Sequence, residues 1–232
     1  MRRSYCPGST VSAIWAELDT GLLTQLRLGC KSLGLALDSG QEQKLLSYLE
    51  LLVKWNKAYN LTAIREPGKM VTRHLLDSLA MASQLRGENV IDVGTGAGLP
   101  GIPLAILFPL RHFSLLDSNG KKTRFLFQVK TALCLDNMQV HHQRVESFQP
   151  PEPYDAVLSR AFASLADMVA GCRHLCTSTG RFFAMKGVYP AGELAALDPA
   201  CKIVAVHELV VPGLAEQRHL VELMIQERGE LR

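Results

Sequence analysis

The stretch Val90-Ile91-Asp92-Val93-Gly94-Thr95-Gly96-Ala97-Gly98-Leu99-Pro100-Gly101 decides the fold of this 232-residue chain. Its first four residues form a short apolar run that predicts a buried strand, and residues 100–107 predict a short helix. The glycines between them let the backbone turn sharply and approach a ligand without a clash from Cβ. The stretch therefore predicts a strand, a ligand-binding glycine loop and a helix, in that order.

Short apolar runs alternate with helical stretches after this loop. Further strands are predicted at residues 112–117, 138–145, 155–159 and 181–185, and helices at 121–135 and 164–175. This alternation predicts a parallel sheet with helices on both faces. Two strand-like runs, 202–211 and 219–226, then follow without a helix between them, which indicates an antiparallel pair at the sheet edge. We therefore expect an α/β, Rossmann-like sheet that is mostly parallel and has one antiparallel edge strand.

The part of the chain before the glycine loop has a different pattern. From about residue 22 to 85 the apolar residues follow helical spacing, which predicts a small N-terminal helical layer. Residues 1–20 are mixed in character and are broken by Pro7 and Gly8. We expect a disordered extension at 1–20, a helical region at 21–86 and an α/β domain at 87–232.

The composition argues against several classes of protein. Hydrophobic residues make up 47% and charged residues 20% of the chain, which is ordinary for a globular protein, and the net charge of +3 does not decide a partner. We find no apolar run long enough to cross a bilayer and no signal peptide in residues 4–20, so we expect a cytoplasmic protein without membrane contact. Cys172, His174 and Cys176 lack a second ligand pair at zinc spacing, so we expect no metal.

Two nucleotide cofactors compete for the glycine loop. Gly96 to Gly101 matches the dinucleotide fingerprint G-x-G-x-x-G, and Asp117 lies about twenty residues further on, where an acid that binds ribose is expected for either cofactor. Asp92, however, ends the strand before the loop. A carboxylate there suits the ammonium group of S-adenosylmethionine and is unhelpful beside a pyrophosphate.

The segment after the third predicted strand also favours S-adenosylmethionine. There the backbone amide of Val145 and the side chain of Glu146 could read the edge of an adenine ring. We therefore predict a cofactor site for S-adenosylmethionine at the carboxyl edge of the sheet. An NAD-dependent oxidoreductase that uses the same glycines remains the alternative.

Seven sequence blocks, taken in order, resemble the small-subunit ribosomal RNA methyltransferase G family, also called the glucose-inhibited division protein B family. The blocks are Trp55-Asn56-Lys57-Ala58-Tyr59-Asn60-Leu61-Thr62, Arg73-His74-x-x-Asp77-Ser78, Ile91 through Leu104, Leu116-Asp117-Ser118, Lys121-Lys122-x-Arg124-Phe125-Leu126, Ser159-Arg160-Ala161-Phe162-Ala163 and Arg218-His219-Leu220-Val221. The resemblance covers about residues 22–226.

This resemblance implies a class I methyltransferase fold and methylation of a guanine at N7 in the 530 loop of 16S rRNA, at nucleotide 527 in the conventional rRNA numbering. The partner is then 16S rRNA or the small ribosomal subunit, and we expect a monomer that does not bind DNA. By motif, the resemblance implies that five residues line the cofactor site: Gly94, Leu99, Val145, Glu146 and Arg160. Together with the reasoning above, the expected site adds Asp92, Gly96, Gly98 and Asp117.

The chemistry of this reaction sets what the remaining residues must do. Guanine N7 carries an in-plane lone pair and no proton, so we expect no general base, and catalysis reduces to alignment. His74, Arg160 and Lys186 are candidates to position the guanine or the RNA, since cations can contact guanine O6 or a phosphate. His74 could equally be packed in the helical layer, and for Arg218 an ion pair is as good an explanation as RNA contact. A non-catalytic RNA- or ribosome-binding protein with a decayed site is the other alternative.

Overall fold

The computed structural model describes residues 13–160 and 162–226. Most of the expected N-terminal extension, residues 1–12, therefore lies outside the described residues. Helix α1 begins at Ala13 and ends at Ser32, so it includes residues 13–20 of the expected extension.

A layer of helices precedes the sheet, as predicted. It consists of α1, α2 (Ser39–Tyr59), α3 (Pro67–Met70), a π-helical turn (Val71–Leu76) and α4 (Asp77–Leu79). Helix α2 begins at a capping box, in which the Asp38 carboxylate accepts from the amide of Gln41 and the Gln41 side chain accepts from the amide of Asp38. It ends where Asn60 adopts a left-handed conformation with φ 49°.

The described residues form a seven-stranded sheet with the order β3-β2-β1-β4-β5-β7-β6. The strands are β1 (Asn89–Val93), β2 (His112–Asp117), β3 (Met138–His142), β4 (Tyr154–Ser159), β5 (Cys176–Lys186), β6 (Cys201–Glu208) and β7 (His219–Ile225). Strands β1 to β5 are parallel, whereas β7 is antiparallel to both β5 and β6. The predicted mostly parallel sheet with an antiparallel edge is therefore confirmed. The reversed strand β7 lies between β5 and β6, and β6 forms the edge.

Helices cover both faces of the sheet, so two hydrophobic cores flank it. The remaining helices are α5 (Gly101–Leu107), α6 (Gly120–Leu133), α7 (Leu165–Cys172) and α8 (Ala191–Ala195). Neighbouring residues of β1 point to opposite faces, with Val90 in the core shared with α1, α2, α5 and α6 and Ile91 in the core shared with α7. Among the residues that the structure describes, no helix is both long and apolar enough to span a membrane.

The boundaries of three predicted strands differ from the structure by three residues or more. Strand β6 ends at Glu208 and not at residue 211. Strand β3 ends at His142, because the chain then forms a 3-10 turn over Val145–Ser147. Strand β5 already begins at Cys176, since a 3-10 turn at Arg173–Leu175 leads directly from α7 into it. The division into a helical region (21–86) and an α/β domain (87–232) stays a proposal, because one hydrophobic core runs through both.

Candidate functional site

The glycine loop leaves the carboxyl end of β1 and folds against β2. Gly94, Gly96 and Gly98 all have positive φ angles, of 68°, 63° and 91°. The amides of Gly94 and Thr95 donate to the carbonyl oxygen of Leu116 at 2.9 and 3.2 Å. A Cβ on Gly98 would lie 2.2 Å from Cδ1 of Ile102, so only glycine fits there.

Asp92 supports this loop from within the protein. It is fully buried, and its Oδ2 accepts hydrogen bonds from Thr95 Oγ1 at 2.7 Å and from the amide of Gly101 at 2.8 Å. Burial raises the pKa of the Asp92 carboxyl to about 6, although both hydrogen bonds oppose this shift. Its Oδ1 is buried without a hydrogen-bond partner among the described residues. Asp92 thus shapes the loop and keeps one acceptor to spare.

Asp117 ends β2 and faces the same loop. Its Oδ2 accepts from the amide of Gly96 at 2.9 Å, and its Oδ1 accepts from the amide of Asn119 at 2.8 Å. Lys122 Nζ lies 3.5 Å from Oδ2. These contacts fix the carboxylate in one orientation at the edge of the sheet.

One cavity brings together several of the predicted cofactor residues. Its volume is about 280 Å³, and Gly94, Asp117, Val145 and Glu146 contribute to its wall. Lys122, Arg144 and Phe162 are among its other lining residues. The combination of acidic, basic and apolar side chains beside the glycine backbone suits a nucleoside, which has a polar sugar and a flat aromatic ring.

A larger cavity, of about 1040 Å³, lies at α7, α8 and the ends of β6 and β7. Ala170, Leu197 and Ile225 are among its lining residues, and none of the predicted cofactor residues reaches it. Size therefore does not identify the functional site in this molecule. The chemistry of the lining residues favours the smaller cavity.

The other predicted cofactor residues do not line this cavity. Asp92, Gly96 and Gly98 form and support the loop beside it, while Leu99 is buried in the core that contains α5. Arg160 instead follows β4 and makes an ion pair with Asp77. The structure thus gathers four of the nine expected residues around the cavity. Asp92 lies in β1 beneath the adjacent loop, and Gly96, Gly98 and Leu99 lie in the loop itself.

Asp77, the first residue of α4, is an interaction centre that the sequence reasoning missed. Its Oδ2 lies 3.0 Å from Arg160 Nη1, and its Oδ1 lies 2.8 Å from Arg218 Nε. The carboxylate is buried, and it joins the helical layer to residues that follow β4 and precede β7. An acid between the apolar residues Leu75, Leu76 and Leu79 was the available signal, because a buried charge requires a partner.

His74 and Lys186 are both engaged within the protein. His74 is only 4% exposed, its Nε2 bonds to Thr62 Oγ1 at 2.9 Å, and its Nδ1 bonds to the carbonyl oxygen of Arg73 at 3.0 Å. Burial lowers the pKa of His74, which favours the neutral ring. Lys186 Nζ lies 2.8 Å from Glu193 Oε2. Of the three positioning candidates, Arg160 has the most accessible charged group that the structure describes.

Comparisons with known proteins agree with this fold. A family model described as rRNA small subunit methyltransferase G matches residues 41–221. Ribosomal RNA small subunit methyltransferase G of Pseudomonas aeruginosa strain LESB58 is 55% identical over 200 residues, which cover 86% of this chain and 94% of that protein. The protein of the same name from Saccharophagus degradans is 56% identical over 198 residues, covering 85% of this chain and 89% of its own.

Solved structures with the same fold are more distant in sequence. An O-methyltransferase from Bacillus cereus, in complex with SAH, aligns with a TM-score of 0.54 and 18% identity over 77% of this chain and 90% of its own. TrmN from Thermus thermophilus aligns with a TM-score of 0.52 and 18% identity over 67% of this chain and 53% of its own. At this level of identity, the likeness extends to the fold alone.

Proposed function

Because the chain belongs to the rRNA small subunit methyltransferase G family, we propose that it transfers a methyl group from S-adenosylmethionine to N7 of a guanine in the 530 loop of 16S rRNA. The observation that carries this proposal is the grouping of Gly94, Asp117, Val145 and Glu146 around one cavity at the carboxyl edge of the sheet. In open α/β sheets this edge is where nucleotides bind.

Family membership also decides between the functions that the sequence reasoning left open. The chain is a methyltransferase, so the NAD-dependent oxidoreductase and the non-catalytic RNA-binding protein are not retained. A buried carboxylate beneath the loop, Asp92, agrees with this choice, because a pyrophosphate would meet its negative charge at close range.

The residues around the cavity fit S-adenosylmethionine. Asp117 would accept hydrogen bonds from the ribose hydroxyls, since the amides of Gly96 and Asn119 hold it in place and a carboxylate has lone pairs left over. The Val145 amide and Glu146 would contact the adenine edge. The spare Oδ1 of Asp92 is an acceptor that the ammonium group would satisfy, and a buried acceptor without a partner costs free energy.

Catalysis by this chain is then a matter of alignment. S-adenosylmethionine supplies a methyl group bound to positively charged sulfur. The N7 lone pair of guanine is already available, so the protein removes no proton and needs no general base. Arg160 would contact guanine O6 or a phosphate rather than N7, because a hydrogen bond to N7 would occupy the reacting lone pair.

Phe162, Lys186 and His74 have separate proposed roles. We propose that Phe162, which lines the cavity, stacks on the guanine, and that Lys186 contacts the RNA from its ion pair with Glu193. His74 would act by packing beneath the Arg73 segment, not by touching RNA. We further propose a cytoplasmic monomer that acts on 16S rRNA or the small subunit and contacts neither membrane nor DNA.

A methyl-transfer assay tests this function directly. The protein is incubated with S-adenosylmethionine labelled in its methyl group and with either deproteinised 16S rRNA or isolated small subunits, and the RNA is digested to nucleosides. We expect the label in 7-methylguanosine with at least one of the two substrates. Label in another nucleoside would overturn the N7 assignment, and no label with either substrate would overturn the proposed substrate.

Cofactor choice is tested by titration calorimetry on the same preparation. We expect S-adenosylhomocysteine to bind and NADH to give no heat of binding. The reverse result would refute the cofactor assignment even if RNA binding were intact.

A further inference from the structure

Two segments that are far apart in sequence are fastened together beside the carboxyl edge. Residues 71–77 form the π-helical turn and the start of α4, and residues 212–218 form the loop before β7. Arg73 pairs with Glu216, Asp77 pairs with Arg218, and a Cβ on Gly213 would lie 3.5 Å from Thr72 Oγ1. Arg218, the last residue of this loop, therefore binds the same carboxylate, that of Asp77, as Arg160 does.

The π-helical turn brings Asp77 to this position. A π turn contains an extra residue compared with an α turn, so it rotates the residues that follow relative to those that precede it. Such turns occur frequently at functional sites. Here the residue immediately after the turn is the buried acid that meets both arginines.

One carboxylate, Asp77, is shared by two guanidinium groups. Arg160 also attracts the buried carboxylate of Asp92, and Arg218 attracts the carboxylate of Glu216. The side chain of Asp77 is 6% exposed, whereas those of Arg160 and Arg218 are 30% and 21% exposed. The carboxylate of Asp77 is therefore inside the protein, and the two arginine side chains are the more accessible part of the cluster, at the edge where we propose that RNA is methylated.

Both guanidinium groups keep capacity for a ligand. Each carries five N–H donors, and Asp77 takes one from each. The carbonyl oxygen of Gln217 takes another from Arg218. Arginine binds phosphate oxygens with two parallel N–H bonds, and a pair of arginines fixed by one acid presents several such donors in a constant arrangement.

We propose that Arg160 and Arg218 form a single receptor for one phosphodiester group of the RNA substrate, and that Asp77 is the positioning residue that holds them. The inference rests on the proposed function and deepens it, since it names how the RNA backbone is held at the cofactor edge. The receptor aligns the guanosine, so its loss affects turnover more than cofactor binding.

Asp77→Asn separates positioning from simple charge. This variant removes a negative charge next to RNA, so charge alone predicts tighter RNA binding and unchanged turnover. Positioning predicts the opposite for turnover, because an amide cannot accept from both arginines at once. We expect kcat to fall by about tenfold or more, with no gain in RNA affinity.

Glu216→Gln is the matched control. It also turns a carboxylate into an amide in an ion pair between the same two segments. Glu216 and Arg73 are partly exposed, however, and Glu216 acts on Arg218 only through charge attraction, not through an ion pair or hydrogen bond among the described residues. We expect kcat within about twofold of that of the unmodified protein, since exposed ion pairs contribute little. If Asp77→Asn behaves like this control, the proposed positioning role is wrong.

Two further variants test the receptor even if Asp77→Asn does not fold. Arg218→Lys keeps the charge and loses the planar fork, whereas Arg218→Gln loses both. With a 16S rRNA fragment, we expect Arg218→Gln to lower the slope of log affinity against log salt by about 0.7 to 1, and Arg218→Lys to weaken binding without changing the slope. Unchanged slope and affinity in Arg218→Gln would refute the receptor. Because this measurement needs no turnover, failure of the methyl-transfer assay in the unmodified protein remains distinguishable from failure of this inference.

Discussion

The hydroxyl of Tyr48 donates a hydrogen bond to the carbonyl oxygen of Ala97, 2.8 Å away, and so connects helix α2 with the glycine loop after β1. Both residues are buried, and burial raises the pKa of the Tyr48 phenol far above its usual range. The helical layer therefore supports the loop directly, through a hydrogen bond that is shielded from solvent.

Tyr48→Phe removes this bond and keeps the packing of the ring. We expect the free energy of unfolding to fall by about 1 to 3 kcal/mol, because the carbonyl of Ala97 is left buried without its donor. We also expect weaker binding of S-adenosylhomocysteine, measured by calorimetry. Tyr154→Phe is the control, since Tyr154 is a buried tyrosine at the opposite end of the sheet. Equal cofactor affinity in both variants would contradict a role for Tyr48 in shaping the loop.

Gly98→Ala introduces a methyl group where the structure has no room. Its φ of 91° is unfavourable for alanine, and the new Cβ would lie 2.2 Å from Ile102 Cδ1. We expect a loss of about 2 to 4 kcal/mol in denaturant unfolding and loss of cofactor binding. In Gly192→Ala the added methyl group meets nothing within 4 Å, so this helical position should be neutral or slightly stabilised. A stable Gly98→Ala variant with normal cofactor affinity would show that the loop has another conformation.

Asp92→Asn changes how stability depends on pH. The carboxyl has a pKa of about 6 in the folded protein and about 4 when unfolded, so between these values the unfolded state releases its proton first. As pH rises through this window, the unmodified protein loses stability relative to Asp92→Asn, by roughly 3 kcal/mol in total. Below about pH 4 the two proteins should run parallel, because Asp92 is then protonated in both states. Denaturant unfolding from pH 4 to 8 measures the difference, and parallel curves throughout would contradict the raised pKa.

Asp117→Asn tests the acid at the end of β2. The side chain of asparagine has one acceptor oxygen and one NH2 donor group. It therefore cannot accept from the backbone N–H groups of both Gly96 and Asn119, as the two carboxylate oxygens do. We expect affinity for S-adenosylhomocysteine to fall by about tenfold or more. Asp136→Asn changes an exposed acid at the start of β3 and should leave the affinity unchanged. An Asp117→Asn variant with full affinity would remove Asp117 from the cofactor site.

The features that local chemistry determines were predictable from the sequence. Positive φ angles at Gly94, Gly96 and Gly98 follow from the residue type, and the position of Asp117 follows from the length of one strand–helix–strand unit. The mostly parallel sheet likewise follows from alternating periodicity. Each of these inferences depends on residues that are close in sequence.

Features that depend on distant residues were not predictable. Arg218 meets Asp77 across 141 positions of the chain, and no local pattern specifies that pairing. The place of β7 between β5 and β6 is likewise a matter of non-local hydrogen bonding. His74 lies in the π-helical turn, where the helical phase changes, so 3.6-residue spacing could not tell whether its ring is buried.

The interleaved order of the last two strands has a consequence for biosynthesis. Strand β6 leaves the ribosome before β7, yet the only strand it pairs with in the described structure is β7. We therefore expect β6 to lack a strand partner in the nascent chain until β7 has been synthesised and has paired with β5. Since Arg218 immediately precedes β7, we expect the same pairing to bring its guanidinium to Asp77, so that the proposed RNA contact forms late in folding.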